Sequence, residues 1–192
     1  MAKGQTREKI LNAASKMFGK YGFQKTTMDE IARTAHKAKG SVYYYYKSKE
    51  ALFLDVVSQE INIIKNGLTR IIIERQDATG MIRNYLLSRM VLMKDAVNYH
   101  ESLKADFMED FNFLNECRMD FTRFEIDLMK AILDRGVREN KFQISDTQAT
   151  AQVIILAMKA MEIPFYHHRK IAEYELTIVE LVDILIKGLE KS

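Results

Sequence analysis

Apolar residues recur at intervals of three and four along most of this 192-residue chain, which is the spacing of one face of an α-helix. The first series runs from Ile10 to Tyr21 and predicts an amphipathic helix over residues 6–21. Alternation of apolar and polar residues, the pattern of a half-buried strand, is nearly absent. The sequence therefore predicts an all-α fold of about nine helices.

Local signals mark the ends of the first helices. Gly22 can adopt the left-handed conformation of a C-terminal cap after the first helix. Thr27 and Glu30 have the spacing of a capping box, which predicts the start of a short second helix. Further helices are predicted from Lys39 to Tyr45, from Lys49 to about residue 73, and near 80–99, 102–113, 117–139, 147–166 and 172–189, with a break at 99–101.

Basic side chains are concentrated in the first 50 residues. That segment holds eleven Lys or Arg residues against four acidic ones, although the whole chain has a formal net charge of only +3. The asymmetry suggests a head that binds a polyanion, attached to a neutral or acidic body. A solvated basic surface is the alternative, so charge alone does not establish nucleic-acid binding.

Several classes of protein are disfavoured by missing motifs. Cys117 is the single cysteine, which excludes an intramolecular disulfide and a cysteine-rich zinc module. The sequence contains no nucleotide-binding glycine fingerprint, phosphate loop, His-Glu-x-x-His motif or activated nucleophile, so we expect no cofactor, no metal and no enzyme. Residues 153–158, the longest aliphatic run, are too few to span a bilayer, and no secretory signal begins the chain, which favours a cytoplasmic protein.

Two short helices separated by three residues, after a longer first helix, are typical of a helix-turn-helix DNA-binding domain. The second short helix would lie in the major groove of DNA. It carries four consecutive tyrosines, and burying Val42 and Tyr46 on one face turns Tyr44 outward at about 100° per residue. We expect the outward tyrosines to contact DNA, with a protein-binding surface patch as the alternative.

The residues predicted to contact DNA have different roles. Lys39 can donate to a guanine edge, Gly40 permits close approach of the backbone, and Ser41 can bond to a base or a phosphate. Tyrosine rings pack on sugars, lysines neutralise phosphates, and the Thr27 amide at a helix N-terminus is expected to bind a phosphate. The full set is Thr27, Lys37, Lys39, Gly40, Ser41, Tyr43, Tyr44, Tyr45 and Lys49.

The segments Tyr21-Gly22-Phe23, Thr26-Thr27-Met28, Lys39 to Tyr46 and Lys47 to Leu52 stand in an order and spacing that resemble the N-terminal domain of tetracycline-repressor-type (TetR family) regulators. The resemblance implies a DNA-binding domain at 1–50 and an effector-binding and dimerisation domain at 51–192. It also implies a dimer that binds a palindromic operator and releases it when a small molecule binds.

The turn between the short helices departs from the usual pattern of the resembled family. His36 stands where glycine is common, Lys37 where an apolar residue is common, and Ala38 where a serine often caps the next helix. Loss of that cap is expected to cost about 1 kcal/mol locally. No sensing role is assigned to His36 or to Cys117.

The last two helices are predicted to form a dimer interface. The last helix is apolar on more than one side, and the helix before it carries small residues that allow close approach. A four-helix bundle between two subunits would cover both helices, while a well-buried terminal helix is the alternative. The predicted interface comprises Val153, Ala157, Ala160, Met161, Ile178, Val182, Leu185 and Leu189.

Bulky apolar side chains are concentrated between residues 99 and 124, and Tyr85, Met90 and Met93 on the preceding helix could face them. Such side chains line pockets for apolar ligands, although the same pattern also describes ordinary core. The resembled family keeps its effector pocket in this part of the chain, which favours a pocket for an apolar or aromatic effector. Its predicted lining is Tyr85, Met90, Met93, Tyr99, Phe107, Phe111, Phe121 and Phe124.

Three functions follow from these observations. The first is a ligand-responsive transcriptional repressor that acts as a homodimer. The second is a helical protein that binds a partner or sequesters a ligand and no longer reads an operator. The third is a small helical enzyme, for which His100, Asp106 and Tyr99 are the candidate polar groups.

Overall fold

The computed structural model of the chain describes residues 2–73, 76–104, 109–167 and 171–191. Side chains are described over these ranges except at residues 2, 3, 104, 109–111, 163–167 and 171–178. The described ranges contain nine α-helices and one short 3-10 helix, and their only extended pairing is an isolated bridge between Phe142 and Glu190. The predicted all-α class is confirmed.

The helices are α1 Ala2–Tyr21, α2 Met28–Thr34, α3 Lys39–Tyr45, α4 Lys49–Ile73, α5 Ala78–Lys94, α6 Val97–Lys104, α7 Asn115–Arg138, α8 Thr147–His167 and α9 Ile171–Leu189. The 3-10 helix, Glu109–Leu114, precedes α7. Within the described part of the chain, no helix is both long and apolar enough to cross a bilayer.

Contacts between residues divide the chain into two compact units. The first comprises residues 1–62 and 96–117, and the second comprises residues 63–95 and 118–192. This division rests on packing and differs from the predicted division by function at residue 50, which stays a prediction.

The first unit packs α1, α2 and α3 over a cluster of buried phenylalanines. Phe18, Phe23 and Phe53 contact one another with ring centroids 4.9–5.8 Å apart, a separation at which aromatic pairs attract. Gly22 ends α1 with a φ of 83°, and its N–H donates to the Phe18 carbonyl at 2.8 Å. The predicted left-handed cap at Gly22 is confirmed.

The prediction of one helix over residues 80–99 is wrong. α5 ends at Lys94 and α6 begins at Val97, so the predicted break at 99–101 lies inside α6. The helix predicted over 102–113 is also wrong, because α6 ends at Lys104 and residues 109–114 form the 3-10 helix. The Glu60 carboxylate on α4 accepts the backbone N–H groups of Asn98 and Tyr99 at 3.3 and 2.8 Å. A side chain from another helix therefore satisfies the first turn of α6, and the local sequence gives no sign of it.

The second unit contains α5, α7, α8 and α9, and α9 packs against α5 and α8. α7 is followed by a tight reversal in which Asn140 has a φ of 56°, a conformation that asparagine tolerates better than most residues. Phe142 then packs directly on Gly136, where the structure leaves no room for a Cβ atom. The break predicted over residues 140–146 is confirmed.

Candidate nucleic-acid interface

Thr27 and Glu30 begin α2 with a complete capping box. The Thr27 Oγ accepts the Glu30 N–H at 3.3 Å, and the Glu30 carboxylate accepts the Thr27 N–H at 2.9 Å. The side-chain hydrogen bond from Thr27 to Glu30 holds the pKa of that carboxyl below its usual value. The Thr27 amide, predicted to bind a phosphate, therefore already has an intramolecular acceptor in the free protein.

His36 closes α2 in the left-handed conformation, with a φ of 52°. Its N–H donates to the Arg33 carbonyl at 3.1 Å, and the Lys37 N–H donates to the Ala32 carbonyl at 2.9 Å. These two bonds form a Schellman motif, whose left-handed position is usually a glycine. Ala38 then precedes α3 without any side-chain cap, so the departures predicted at His36 and Ala38 are visible in the geometry of the turn.

α3 buries one face and exposes the other. Val42 and Tyr46 are buried, while the side chain of Tyr44 is 61% exposed and that of Tyr43 is 38% exposed. The rings of Tyr44 and Tyr45 meet edge to face with centroids 5.1 Å apart. The predicted orientation of the helix is confirmed, and it presents two tyrosines where a groove could receive them.

Tyr46 fixes α3 to two other helices. Its hydroxyl donates to the Asp55 Oδ2 on α4 at 2.5 Å, and Arg7 on α1 donates to the same oxygen at 2.6 Å. Burial, and then the hydrogen bond to Asp55, raises the pKa of Tyr46 well above its usual value. Arg7 and Asp55 therefore position α3. The sequence analysis did not identify either residue, because 48 residues separate them along the chain.

Two lysines predicted to contact DNA have partners within the protein. The Lys39 Nζ lies 2.8 Å from the Asp29 Oδ1, and this hydrogen-bonded pair raises the pKa of Lys39. The Lys49 Nζ donates to the Phe23 carbonyl at 3.0 Å and lies 4.3 Å from the centroid of the Phe23 ring. Gly40 is exposed, and Lys37, Ser41 and Tyr45 are half-buried.

The predicted effector-lining residues are distributed over both units. In the second unit Tyr85, Met93 and Phe121 are buried, and Met90 and Phe124 are half-buried. Tyr99 is buried in the first unit. Phe107 lies outside the described residues, as does the side chain of Phe111.

A groove of about 560 Å³ lies between α4 and α5 in the second unit. None of the predicted effector residues lines it. Its lining is Gly67, Arg70, Ile71, Asn84, Leu87, Ser88, Val91 and Leu92. The predicted effector set therefore stays a prediction.

A buried ionic network joins three helices of the second unit. Arg89 on α5 donates to both oxygens of Glu125 on α7, at 2.5 and 3.1 Å, and also to Glu162 on α8. The Tyr85 hydroxyl donates to Glu125 at 3.0 Å. Burial alone would lower the pKa of Arg89, but the two carboxylates more than offset it. Charged side chains are stable in a protein interior only when they are paired in this way. Of the four residues in the network, the sequence analysis singled out only Tyr85, as a residue of the predicted effector pocket.

The residues predicted to form the dimer interface differ in how exposed they are. Val153 and Leu156 are 66% and 70% exposed, and Ala157 and Ala160 are also exposed. Val182 is buried in its own unit, whereas Ile184 on the same helix is 58% exposed, and the predicted interface stays a prediction. Met161, Leu185 and Leu189 are half-buried, and the side chain of Ile178 lies outside the described residues.

The exposed stripe on α8 follows helical spacing. Residues 153, 156, 157 and 160 lie three and four positions apart, so their side chains share one face of the helix. A large apolar face on a helix is normally covered by another surface.

Two short helices joined by a tight turn, with an exposed tyrosine face on the second, define a helix-turn-helix DNA-binding protein. Residues 10–56 match the family model described as bacterial regulatory proteins, tetR family. Residues 10–56 therefore form a TetR-family DNA-binding domain, and the chain is similar to transcriptional regulators over nearly its whole length. The family is one of regulators, not of enzymes.

The similarity to known regulators covers nearly the whole chain for one relative and a shorter segment for another. The chain is 25% identical to the HTH-type transcriptional regulator QacR of Staphylococcus aureus over 188 residues, covering 96% of this chain and 98% of QacR. It is 39% identical to RutR of Escherichia coli over 57 residues, covering 30% of this chain and 27% of RutR.

Solved structures share the fold over nearly the whole chain. A transcriptional regulator from Cytophaga hutchinsonii superposes with a TM-score of 0.81 at 23% identity, covering 96% of this chain and 98% of the regulator. SmeT, solved in complex with triclosan, superposes with a TM-score of 0.80 at 20% identity, covering 98% of this chain and 93% of SmeT.

Proposed function

We propose that the protein is a cytoplasmic transcriptional repressor that binds a palindromic operator as a homodimer and leaves it when a small, mainly apolar effector binds. The observation that carries the DNA-binding part is the face of α3. Tyr43 and Tyr44 point away from the core, and Lys39 lies at the N-terminal end of the same helix. This arrangement gives one helix both the aromatic and the cationic groups needed to contact a groove and its phosphates.

The exposed stripe on α8 supports dimerisation. Val153 and Leu156 would lose most of their exposed apolar area against the same stripe of a second copy, which is the geometry of a two-fold interface. A two-fold dimer carries two copies of α3, so it matches an operator with two inverted half-sites about one helical turn apart.

The effector part rests on the buried bulky side chains of the second unit and on a relative. Tyr85, Met93 and Phe121 supply large apolar surfaces, and SmeT, which shares this fold, has been solved with triclosan. An effector acts by favouring a dimer whose two recognition helices no longer match successive major grooves. Triclosan is therefore a reasonable first compound to test as a releasing ligand.

The proposal is tested by selecting bound sequences from a random DNA library with the purified protein. We expect an inverted repeat whose half-site centres are about 10 base pairs or a multiple apart. Lys39→Ala should relax selection at one position of each half-site, because a base contact sets the preference at its own position. Recovery of unrelated sequences without a repeat would contradict the proposal and favour a protein that binds another partner.

A further inference from the structure

The N-terminal end of α3 borders a notch on the surface of α2. The notch has a volume of about 360 Å³ and is lined by Asp29, Ala32, Arg33, Lys37 and Lys39. Three of these side chains are cationic, and Asp29 is the only acidic one. An acidic side chain beside a surface that is expected to meet phosphates needs a reason, because it repels DNA.

We propose that Asp29 is a specificity-determining residue of the DNA interface. It holds the Lys39 ammonium at the N-terminal end of α3 and at the same time keeps DNA phosphates away from it. The inference rests on the proposed function, since it concerns how a DNA-bound α3 distinguishes bases.

The geometry of the pair leaves Lys39 able to donate elsewhere. The Lys39 Nζ lies 2.8 Å from the Asp29 Oδ1 and 3.0 Å from the Oδ2, and the Tyr43 ring centroid lies 5.9 Å from the same nitrogen. An ammonium group has three N–H donors. Two engaged by the carboxylate leave a third for an acceptor such as guanine O6 or N7.

The pair also reduces the entropy that Lys39 loses on binding. A lysine side chain is long and flexible, and ordering it on a base opposes binding. A side chain already held by Asp29 and flanked by Tyr43 has less freedom left to lose. The exposed pair is itself weak, so it restricts the ammonium without preventing small movements toward a base.

The other cations of the notch can serve the phosphates. The described contacts include no side-chain hydrogen bond or ion pair for Arg33 or Lys37, whereas Lys39 is paired with Asp29. A phosphate close to the Lys39 ammonium would also be close to the Asp29 carboxylate, and like charges repel at that distance. Asp29 therefore disfavours a contact between Lys39 and a phosphate, which would not depend on the DNA sequence. The Lys39 ammonium then remains available to donate to a base.

The experiment measures binding of the full-length protein to its selected operator and to a scrambled duplex, for the wild type, Asp29→Asn and Glu8→Gln. Glu8, an exposed carboxylate on α1, is the matched control for loss of one negative charge. We expect Asp29→Asn to strengthen binding to scrambled DNA and to lower the ratio of operator to scrambled affinity roughly five- to tenfold, at the lower end of the range for one base contact. Glu8→Gln should leave the ratio unchanged.

A double-mutant cycle shows whether Asp29 acts through Lys39. In the Lys39→Ala background, Asp29→Asn should no longer change the ratio. The inference would be overturned if Asp29→Asn kept the wild-type ratio of operator to scrambled affinity, or if it lowered that ratio equally in the wild-type and Lys39→Ala backgrounds. Either result would leave the proposed function in place. Equal binding of the wild type to both duplexes would overturn the proposed function and this inference with it.

Discussion

At the scale of single residues, the four consecutive tyrosines show how one residue type serves two purposes. Tyr46 faces inward and donates to Asp55, whereas Tyr44 faces outward with most of its side chain exposed. The helical period predicts this division. It does not predict the partner on α4, because Asp55 enters the arrangement through the tertiary fold.

Replacing each tyrosine by phenylalanine separates the two purposes. Tyr46→Phe removes a hydrogen bond to a charged carboxylate and should lower the free energy of unfolding by about 1–2 kcal/mol. Tyr44→Phe removes an exposed hydroxyl and should change it by less than about 0.5 kcal/mol, while weakening operator binding. Urea unfolding and a DNA titration of both variants measure these effects. Equal stabilities for the two variants would contradict the role of Tyr46.

Glu162 gives the ionic network a predicted dependence on pH. Burial raises the pKa of Glu162 above the usual 4.5 despite the opposing effect of Arg89, so the folded chain binds this proton more tightly than the unfolded chain does. Its stabilising contribution is complete below the unfolded pKa and is lost as pH rises through the folded pKa. Glu162→Gln cannot titrate, so the wild type should gain stability relative to this variant when the pH falls from 7 to 5.

Urea unfolding of the wild type and Glu162→Gln at both pH values measures that difference. The variant keeps an oxygen that can accept from Arg89, so folding is expected to be retained. Groups that titrate in both proteins contribute equally to the two unfolding free energies, so the difference between them reports on Glu162. A difference that does not depend on pH, or that moves the other way, would show that the carboxyl is not buried as described.

At the scale of elements, local signals predict helices well where the capping residues are neighbours in sequence. The capping box of Thr27 and Glu30 and the cap at Gly22 are of this kind. α6 is not, because Glu60 on α4 supplies the acceptor for its first turn. The prediction from periodicity merged the first residues of α6 with α5, because the apolar spacing continues across the break between them. The acceptor for the first turn of α6 comes from a distant part of the chain, so the local sequence does not indicate it.

α3 begins without a side-chain cap, and this weakness can be repaired. Ala38 has the extended backbone of a capping residue, with a φ of −65° and a ψ of 145°, but no side-chain acceptor. Ala38→Ser should supply one and raise the free energy of unfolding by about 0.5–1 kcal/mol. Chemical unfolding measures the gain, and Ala38→Val serves as a control that adds no side-chain acceptor and is a poor N-cap residue. Equal stability of the serine and valine variants would contradict the capping argument.

At the scale of the whole molecule, the predicted all-helical class and the helix-turn-helix are found, but the interactions that join distant helices are not predictable from spacing. Arg89 contacts Glu125 and Glu162 across 36 and 73 residues. Val182 illustrates the same limit, because a helix apolar on two sides does not reveal which side its own unit will cover. The apolar residues available to a binding partner are those that stay exposed in the folded chain, and hydrophobicity in the sequence alone does not identify them.

The proposed dimer interface can be tested with two matched valines. Val153 and Val91 are 66% and 69% exposed, on α8 and α5. Val153→Lys places a charge that must be desolvated in the interface and should yield a monomer with weakened operator binding. Val91→Lys should remain a dimer. Light scattering after gel filtration measures the masses, and dimers for both variants would place the interface elsewhere.

The measurement that tests the account most directly is fluorescence anisotropy of the purified protein on the DNA that flanks its own gene, with a scrambled duplex of equal length as competitor. We predict tight binding that prefers the flanking DNA and that weakens steeply between roughly 50 and 200 mM salt, as release of counterions from phosphates requires. Equal and weak binding to the two duplexes, followed by failure to select a repeat from random DNA, would contradict the claim that α3 reads an operator.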